Sequence, residues 1–343
     1  MINLSLKSDH KYSIILPVKN GGNYVKECIN SILSQTLPGF NCIVLDNCST
    51  DGTREWISSL QDERIIIYPS DKPLSIEENW ARVVTVPKNE FMTCIGHDDI
   101  LAPCYLSVMD RLIAEYPDAG LYQTHFSYIG PKGELIKACR PMQEKYTGPE
   151  FLSAILSNNM DIMGTGFMTR SRDYDAVGGI PAYPSLLFAD FELWSKLADI
   201  SYMAVAGDIC FSFRLHQSTT GAATDMRMQS AFEKFIDLLG ELKNKNNVYS
   251  AIINKDISAF LLFYCKGLSH RLLRTPSEKR NGVTVKGFVK KVKEYSCRFE
   301  PLQPFEPEKV FSIKMAMIID SNRLLRNSFV LFKKIYSKPV LRS

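Results

Sequence analysis

The chain has 343 residues, 45% hydrophobic and 23% charged, which excludes a disordered or low-complexity polypeptide and allows one large globular domain or two modest ones. Its net charge of +4 is uneven: residues 284–343 hold 13 Lys/Arg against 5 Asp/Glu, and the rest of the chain holds 28 against 32, so a mildly acidic body carries a basic tail. Nine cysteines with no CxxC pair argue for reduced thiols in a cytosolic setting rather than a disulfide framework or zinc site; the polar segment Met1–Lys11 lacks a signal-peptide core, and no uninterrupted apolar stretch reads as a membrane span.

In chain order, residues 12–18 read as a buried strand and Asn20-Gly21-Gly22 as a turn. Val25, Cys28, Ile29, Ile32 and Leu33 recur at helical spacing over 24–35. Phe40 to Leu45 is a second strand, followed by the polar loop Asp46–Thr53, in which Ser49 or Thr50 can cap a helix reaching about Leu60. A third strand covers 64–68 and a short helix 76–84. The apolar run Phe91–Gly96 is a buried strand that ends on His97-Asp98-Asp99, and a helix follows from Pro103 to about Tyr116. Ala119–Thr124 is a further strand. Residues 130–148, rich in Gly, Pro and Lys, read as a mobile surface segment. A helix over 149–156, a strand over 161–168, a tight loop at Gly178-Gly179 and a helix over 189–197 come next. Short strands at 202–206 and 209–215 precede a helical region from about Met226, broken at 244–247 and 275–281.

Strands alternating with helices predict an α/β fold with a mainly parallel sheet, and the polar loops after its strands converge on one sheet edge. Open α/β sheets bind ligands at that edge. The adjacent carboxylates Asp98 and Asp99 suit a divalent cation carrying a diphosphate; a helix cap beside a solvated acid is the other reading of the pair. Neither GxGxxG after the first strand nor GxxxxGK[ST] is present, so diphosphate charge would be met by metal or basic side chains.

Five fragments in order, Ser13–Asn20, Ser31–Thr36, Leu45–Thr53, His97-Asp98-Asp99 and Asp190-Phe191-Glu192-Leu193-Trp194, resemble the family 2 glycosyltransferases of the GT-A fold over about residues 11–220. The resemblance implies a nucleotide-binding, mostly parallel sheet flanked by helices, and inverting sugar transfer from a nucleotide-sugar. It places Asp46 and Asn47 at the base, Pro17 and Asn20 beneath base and ribose, and Asp98 on the ribose or as a second carboxylate at the Asp99-bound Mg²⁺ or Mn²⁺. Asn79, and with it Arg82, is expected at the diphosphate. Asp190 matches the general base that deprotonates the acceptor hydroxyl. Arg214 and His216 share a strand face, Arg214 toward the diphosphate and His216 as a metal ligand. Gly164-Thr165-Gly166 matches a loop bordering the acceptor, and Trp194 reads as core. The chain departs from the family at Asn47 and at Gly96, where a further Asp is common.

The expected organisation is a catalytic domain over 1–225, with a nucleotide half at 11–124 and an acceptor half at 125–225, and a helical basic extension over 226–343. The expected function is hexosyl transfer in surface polysaccharide synthesis, such as lipopolysaccharide or capsule. A UDP-sugar is the favoured donor, with dTDP- or GDP-sugars as alternatives, and the acceptor is a glycan or a polyprenyl- or other lipid-linked glycan. A sugar nucleotidyltransferase and a non-catalytic nucleotide-sugar or glycan-binding module are the competing readings; nucleic acid is not an expected partner, because the basic residues collect in a tail with no recognised motif. The segments 285–298 and 313–336 mix Lys and Arg with apolar residues. They read equally as helices lying on an anionic membrane, which would put the protein at the inner face of the cytoplasmic membrane, and as a bundle with its lysines in water.

Overall fold

The computed structural model describes residues 10–216, 225–275, 280 and 282–336. The polar N-terminus up to residue 9 and most of the 275–281 break lie outside them. The chain divides into two compact units, one of residues 1–151 and 160–217 and one of residues 152–159 and 218–343.

The first unit is built on one sheet. Its strands are β1 (Tyr12–Val18), β2 (Phe40–Asp46), β3 (Ile65–Ile67), β4 (Phe91–Cys94), β5 (Ile100–Leu101), β6 (Leu121–Ile129), β7 (Leu135–Ala138), β8 (Lys145–Thr147), β9 (Met168–Arg170) and β10 (Tyr202–Arg214). The order is β3-β2-β1-β4-β9-β6-β10-β5, with β7 on β6 and β8 on β10. The first four strands are mutually parallel, and so are β6 and β10, but β9, β5, β7 and β8 pair antiparallel. The sheet is therefore mixed, with its longest ladders parallel. β1 and β2 are buried along their whole length, as strands covered on both faces must be, and this explains their unbroken apolar runs.

Helices α1 (Gly22–Leu33), α2 (Thr53–Ser59), α3 (Ile76–Ala81), α4 (Tyr105–Glu115), α5 (Gly148–Leu156), α6 (Ser171–Ala176) and α7 (Ala189–Ala198) follow in chain order. α1 turns Val25, Cys28, Ile29 and Ile32 inward, and α4 turns Tyr105, Leu106, Met109 and Leu112. The expected surface segment 130–148 instead supplies β7 and β8 to the sheet, and the two short strands expected over 202–215 are one, β10, with register shifts between Ala206 and Phe211. Of the predicted strand over 161–168 only Met168 is in a strand, as the first residue of β9. Ser49 and Thr50 do not cap α2: the Ser49 hydroxyl takes the Asn20 amide at 2.9 Å and the Thr50 amide donates to Asn20 Oδ1 at 2.8 Å.

The second unit contains α8 (Asp225–Lys243), α9 (Asn247–Arg274), α10 (Val285–Ser296), α11 (Phe311–Ser321) and α12 (Arg323–Tyr336). Asn246 caps α9 by accepting the amides of Val248 and Tyr249. α9, with 28 residues, is long and apolar enough to cross a membrane by length and composition alone, which the sequence reading did not anticipate. Here it is the helix on which α8, α10, α11 and α12 pack, and its buried Asp256 accepts a 2.6 Å hydrogen bond from Ser153.

Candidate active site

The acidic turn sits where β4 ends. The amide of Asp99 returns to the Gly96 carbonyl at 3.1 Å, which tightens the turn and brings both carboxylates back over the strand end. A Cβ built on Gly96 would lie 2.7 Å from Asp98 Oδ1 and 2.9 Å from Asp99 Oδ2. Two carboxylates thus converge near one point, and a side chain at position 96 would displace them.

Asp99 is buried and held from both sides: Thr165 donates its hydroxyl to Oδ2 at 2.7 Å, and the Arg214 amide donates to Oδ1 at 3.0 Å. Burial pushes its carboxyl well above the usual carboxylate range; the neighbouring Asp98 charge adds to this, and the two hydrogen bonds oppose it. Asp98 goes the other way. Burial also raises it, but the hydrogen bond from His216 Nε2 at 2.5 Å and the fields of His97 and His216 outweigh that and hold it low.

The donor set fits a hard divalent ion. Two carboxylate oxygens aimed at one point repel each other unless a cation or proton lies between them, and each oxygen retains a lone pair. No group of three or more His, Cys, Asp or Glu donors forms among the described residues, so the remaining ligands of such an ion would be phosphate oxygens or water. His216 does not complete the set as expected: its Nε2 is used on Asp98 Oδ2, and its ring lies 5.0 Å from that of Tyr24.

Arg214 also departs from expectation. Its side chain is fully buried. The guanidinium donates to the Asp98 carbonyl at 2.8 Å, to the Gly130 and Pro131 carbonyls at 3.3 Å each and to Glu27 Oε2 at 2.6 Å, and it lies over the Tyr24 ring. With four of its five N–H groups so committed and the side chain fully buried, Arg214 braces the acidic turn.

A second cluster lies at the end of β1 and β2, which run in register from Tyr12↔Phe40 to Pro17↔Leu45 and Val18↔Asp46. The loops beyond the two strands are laced together: besides the Asn20 bonds, the Gly21 amide donates to Thr53 Oγ1 and the Gly22 amide to Asp51 Oδ2. Asp46 is buried; its Oδ2 accepts the Ser49 amide at 3.4 Å, while Oδ1 is buried with no hydrogen-bond partner among the described residues. A buried, unsatisfied carboxylate oxygen is costly unless something else donates to it. Asn47, expected at the base, instead spends both ends of its amide on Leu74: Oδ1 accepts the Leu74 amide at 2.7 Å and Nδ2 donates to the Leu74 carbonyl at 2.9 Å. Asn79, expected at the diphosphate, is buried, with Nδ2 on the Leu45 carbonyl at 3.3 Å and Oδ1 accepting from Arg82 at 3.0 Å. Arg82 reaches on to the carbonyls of Asp46 and Tyr68. Asn47, Asn79 and Arg82 therefore form the wall around Asp46.

The third element is Asp190, in the first turn of α7. The chain enters α7 through Ser185, Leu186 and Phe188, all at positive φ, a strained path that side-chain-bearing residues take only when their surroundings enforce it. The Ser185 amide is anchored on Glu77 Oε1 at 2.7 Å. Among the described residues Asp190 has one hydrogen bond, from the Phe191 amide to Oδ1 at 3.0 Å, and burial pushes its carboxyl up to about 6. Glu192, two residues on, is consumed by Tyr183 at 2.7 Å and Lys196 at 2.6 Å. Trp194 is core, stacked on Phe167 and donating to the Met163 carbonyl.

The segment Gly164-Thr165-Gly166 joins these acids. Thr165 holds Asp99, and a Cβ on Gly164 would lie 3.8 Å from Asp190 Oδ2. Gly166 has φ +81° and packs so closely that a Cβ would meet the Phe211 ring at 2.8 Å, while its carbonyl accepts from Tyr105 at 3.1 Å. The sequence reading missed the tasks of Thr165, Glu27 and Tyr24; a hydroxyl between two glycines was the one available signal, whereas Glu27 and Tyr24 look like ordinary helix-surface residues.

Residues 13–178 match the family model described as Glycosyl transferase family 2. The glycosyltransferase GlyG of Streptococcus pneumoniae is 25% identical over 118 residues, covering 34% of this chain and 39% of that protein. The chondroitin synthase of Pasteurella multocida is 24% identical over 256 residues, 73% of this chain and 25% of the synthase. The chain thus spans well under half the length of these two curated relatives. Among solved structures, S. aureus TarS 1-349 in complex with UDP-GlcNAc superposes with a TM-score of 0.61 at 15% identity, covering 93% of this chain and 91% of that one. A mannosyltransferase from Pyrobaculum calidifontis, in complex with GDP-Man and Mn²⁺, gives 0.51 at 12% identity, covering 94% and 88%. At these identities the structural likeness is one of fold.

Proposed function

Because the chain is a family 2 glycosyltransferase of the GT-A fold, we propose that it moves a sugar, with inversion, from a nucleoside diphosphate donor to a hydroxyl of a glycan or lipid-linked glycan during surface polysaccharide synthesis. The observation that carries this reading is the Gly164-Thr165 segment, which has the acidic turn on one side and Asp190 on the other. A leaving-group site and a proton acceptor are thereby one short segment apart, as a single displacement requires. A nucleotidyltransferase or a passive binding module gives Asp190 no task.

Asp190 Oδ2 takes the proton from the acceptor hydroxyl as its oxygen attacks the anomeric carbon. The bond to the nucleoside diphosphate breaks on the opposite face of the sugar. A carboxyl pushed up to about 6 is a stronger base than a solvated one and is still mostly ionised at neutral pH. Asp98 and Asp99 would hold Mg²⁺ or Mn²⁺, which supplies charge neutralisation for the diphosphate. Asp46 Oδ1 is the acceptor for a ring N–H of the base. Uracil and thymine offer N3–H and guanine N1–H, whereas cytosine has no ring N–H there, so the reading favours UDP-sugars with dTDP- and GDP-sugars next. We place the enzyme in the cytoplasm, where its nine free cysteines stay reduced.

A panel of nucleotide-sugars scored for thermal stabilisation with Mn²⁺ identifies the donor, and NMR of the product identifies the anomer. The proposal expects stabilisation by a UDP-, dTDP- or GDP-sugar and an inverted linkage; a product that retains the donor's configuration overturns the single-displacement mechanism.

A further inference from the structure

The two basic amphipathic stretches of the tail have opposite fates within the second unit. In α10 the apolar stripe Val285, Phe288, Val289 and Val292 is buried, and Lys286 and Lys290 are exposed. This is the ordinary arrangement of a bundle helix. α12 is reversed. At 100° per residue, Leu324, Leu325, Ser328, Leu331, Phe332 and Ile335 fall on one face about 120° wide. That face is the exposed one: Leu324 is 77% exposed, Leu331 60% and Ile335 65%. Arg326 and Lys333 lie on the other side, where Arg326 is 4.0 Å from Asp320 and Lys333 sits over the Phe329 ring. Phe329 in turn packs on His270 of α9. A helix that gives its mixed face to the fold and its apolar face to water leaves its main hydrophobic gain unused unless something covers it.

We propose that the exposed face of α12 docks on an anionic lipid bilayer surface. Charge selects this occupant. From Ser321 to Ser343 the sequence has six Lys/Arg and no Asp or Glu, and α12 itself carries no acid. The exposed apolar side chains would insert at the level of the acyl chains, and the net positive charge of this stretch draws it toward an anionic surface. A second copy of the chain would bring a stretch of the same net charge, +6 over residues 321–343, which opposes self-association.

The test is flotation of the full chain with vesicles of phosphatidylcholine alone and of phosphatidylcholine with phosphatidylglycerol, in low and high salt, beside the triple variant Leu324→Glu, Leu331→Glu, Ile335→Glu. These positions are exposed, so the variant should keep the circular dichroism and melting temperature of the parent, and light scattering of both proteins reports their oligomeric state. The proposal expects the full chain to float with the anionic vesicles at least about tenfold better than with the zwitterionic ones, with salt weakening this and the variant losing it. Absence of binding to anionic vesicles, equal binding by a folded variant, or a dimer that the variant dissolves overturns it. None of these outcomes depends on sugar transfer, so the docking stands or falls apart from the proposed activity.

Discussion

The Thr165 hydroxyl donates to Asp99 Oδ2 at 2.7 Å, and through that bond the loop before β9 fixes a carboxylate at the end of β4. Thr165→Val removes the donor and leaves a buried carboxylate oxygen short of a partner, a loss of about 1–3 kcal/mol. We expect nucleotide-sugar affinity in the presence of Mn²⁺ to fall roughly tenfold or more, read by calorimetry, and Thr165→Ser to restore most of it. Equal damage by Val and Ser would assign the residue to packing instead.

Arg214 braces the same turn from beneath. Arg214→Met leaves three backbone carbonyls without their donor while keeping the side chain's bulk, and the expected destabilisation is about 1–3 kcal/mol or more in a denaturant melt. Glu27→Gln should cost under about 1 kcal/mol, because Glu27 is half-exposed and an exposed partner contributes little.

Gly166→Ala meets two obstacles at once, the positive φ and the Phe211 ring at 2.8 Å. The expected loss is about 1–3 kcal/mol, with a fall in transfer rate because the loop also carries Thr165. Gly178→Ala shares only the first obstacle, since a Cβ there meets nothing within 4 Å, and should be milder in the same melt.

Asp190 carries a pH signature in both rate and stability. As a base it must be ionised, so the transfer rate should rise with pH through about 6 and then level off. Its folded pKa lies above the unfolded value of 3.8, so the group favours the fold below about pH 4 and this contribution is lost as pH climbs through about 6. Asp190→Asn should therefore be more stable than the parent at pH 7.5, by at most about 3 kcal/mol, and nearly equal to it at pH 4. A variant that loses activity while gaining stability is the mark of a functional carboxylate.

Much of this was legible in the sequence. The runs Tyr12–Val18 and Phe91–Cys94 announce buried strands because both faces of the sheet are covered. Asp46, the Asp98-Asp99 pair and Asp190 announce themselves because carboxylates at strand ends and helix starts are conspicuous. The contacts of Asn47, Asn79, Arg214 and His216 were not legible. Each is polar and near the site in sequence, and each is engaged within the fold: Asn47 closes on Leu74, 27 residues away, and Arg214 on Glu27, 187 residues away. Such pairings depend on topology that local pattern does not encode. The same holds for β7 and β8, whose Gly- and Lys-rich stretch has no periodicity and gains its strand character from β6 and β10.

The central claim is that Asp190 removes the acceptor's proton while the acidic turn at β4 holds the leaving group. Its most direct test is Asp190→Asn in single-turnover transfer with the identified donor, with calorimetry of the nucleoside diphosphate run in parallel. The account predicts a fall in transfer of about 10²–10⁴-fold with nucleotide affinity unchanged within about twofold. Transfer within about threefold of the parent would contradict it and remove Asp190 from the chemistry.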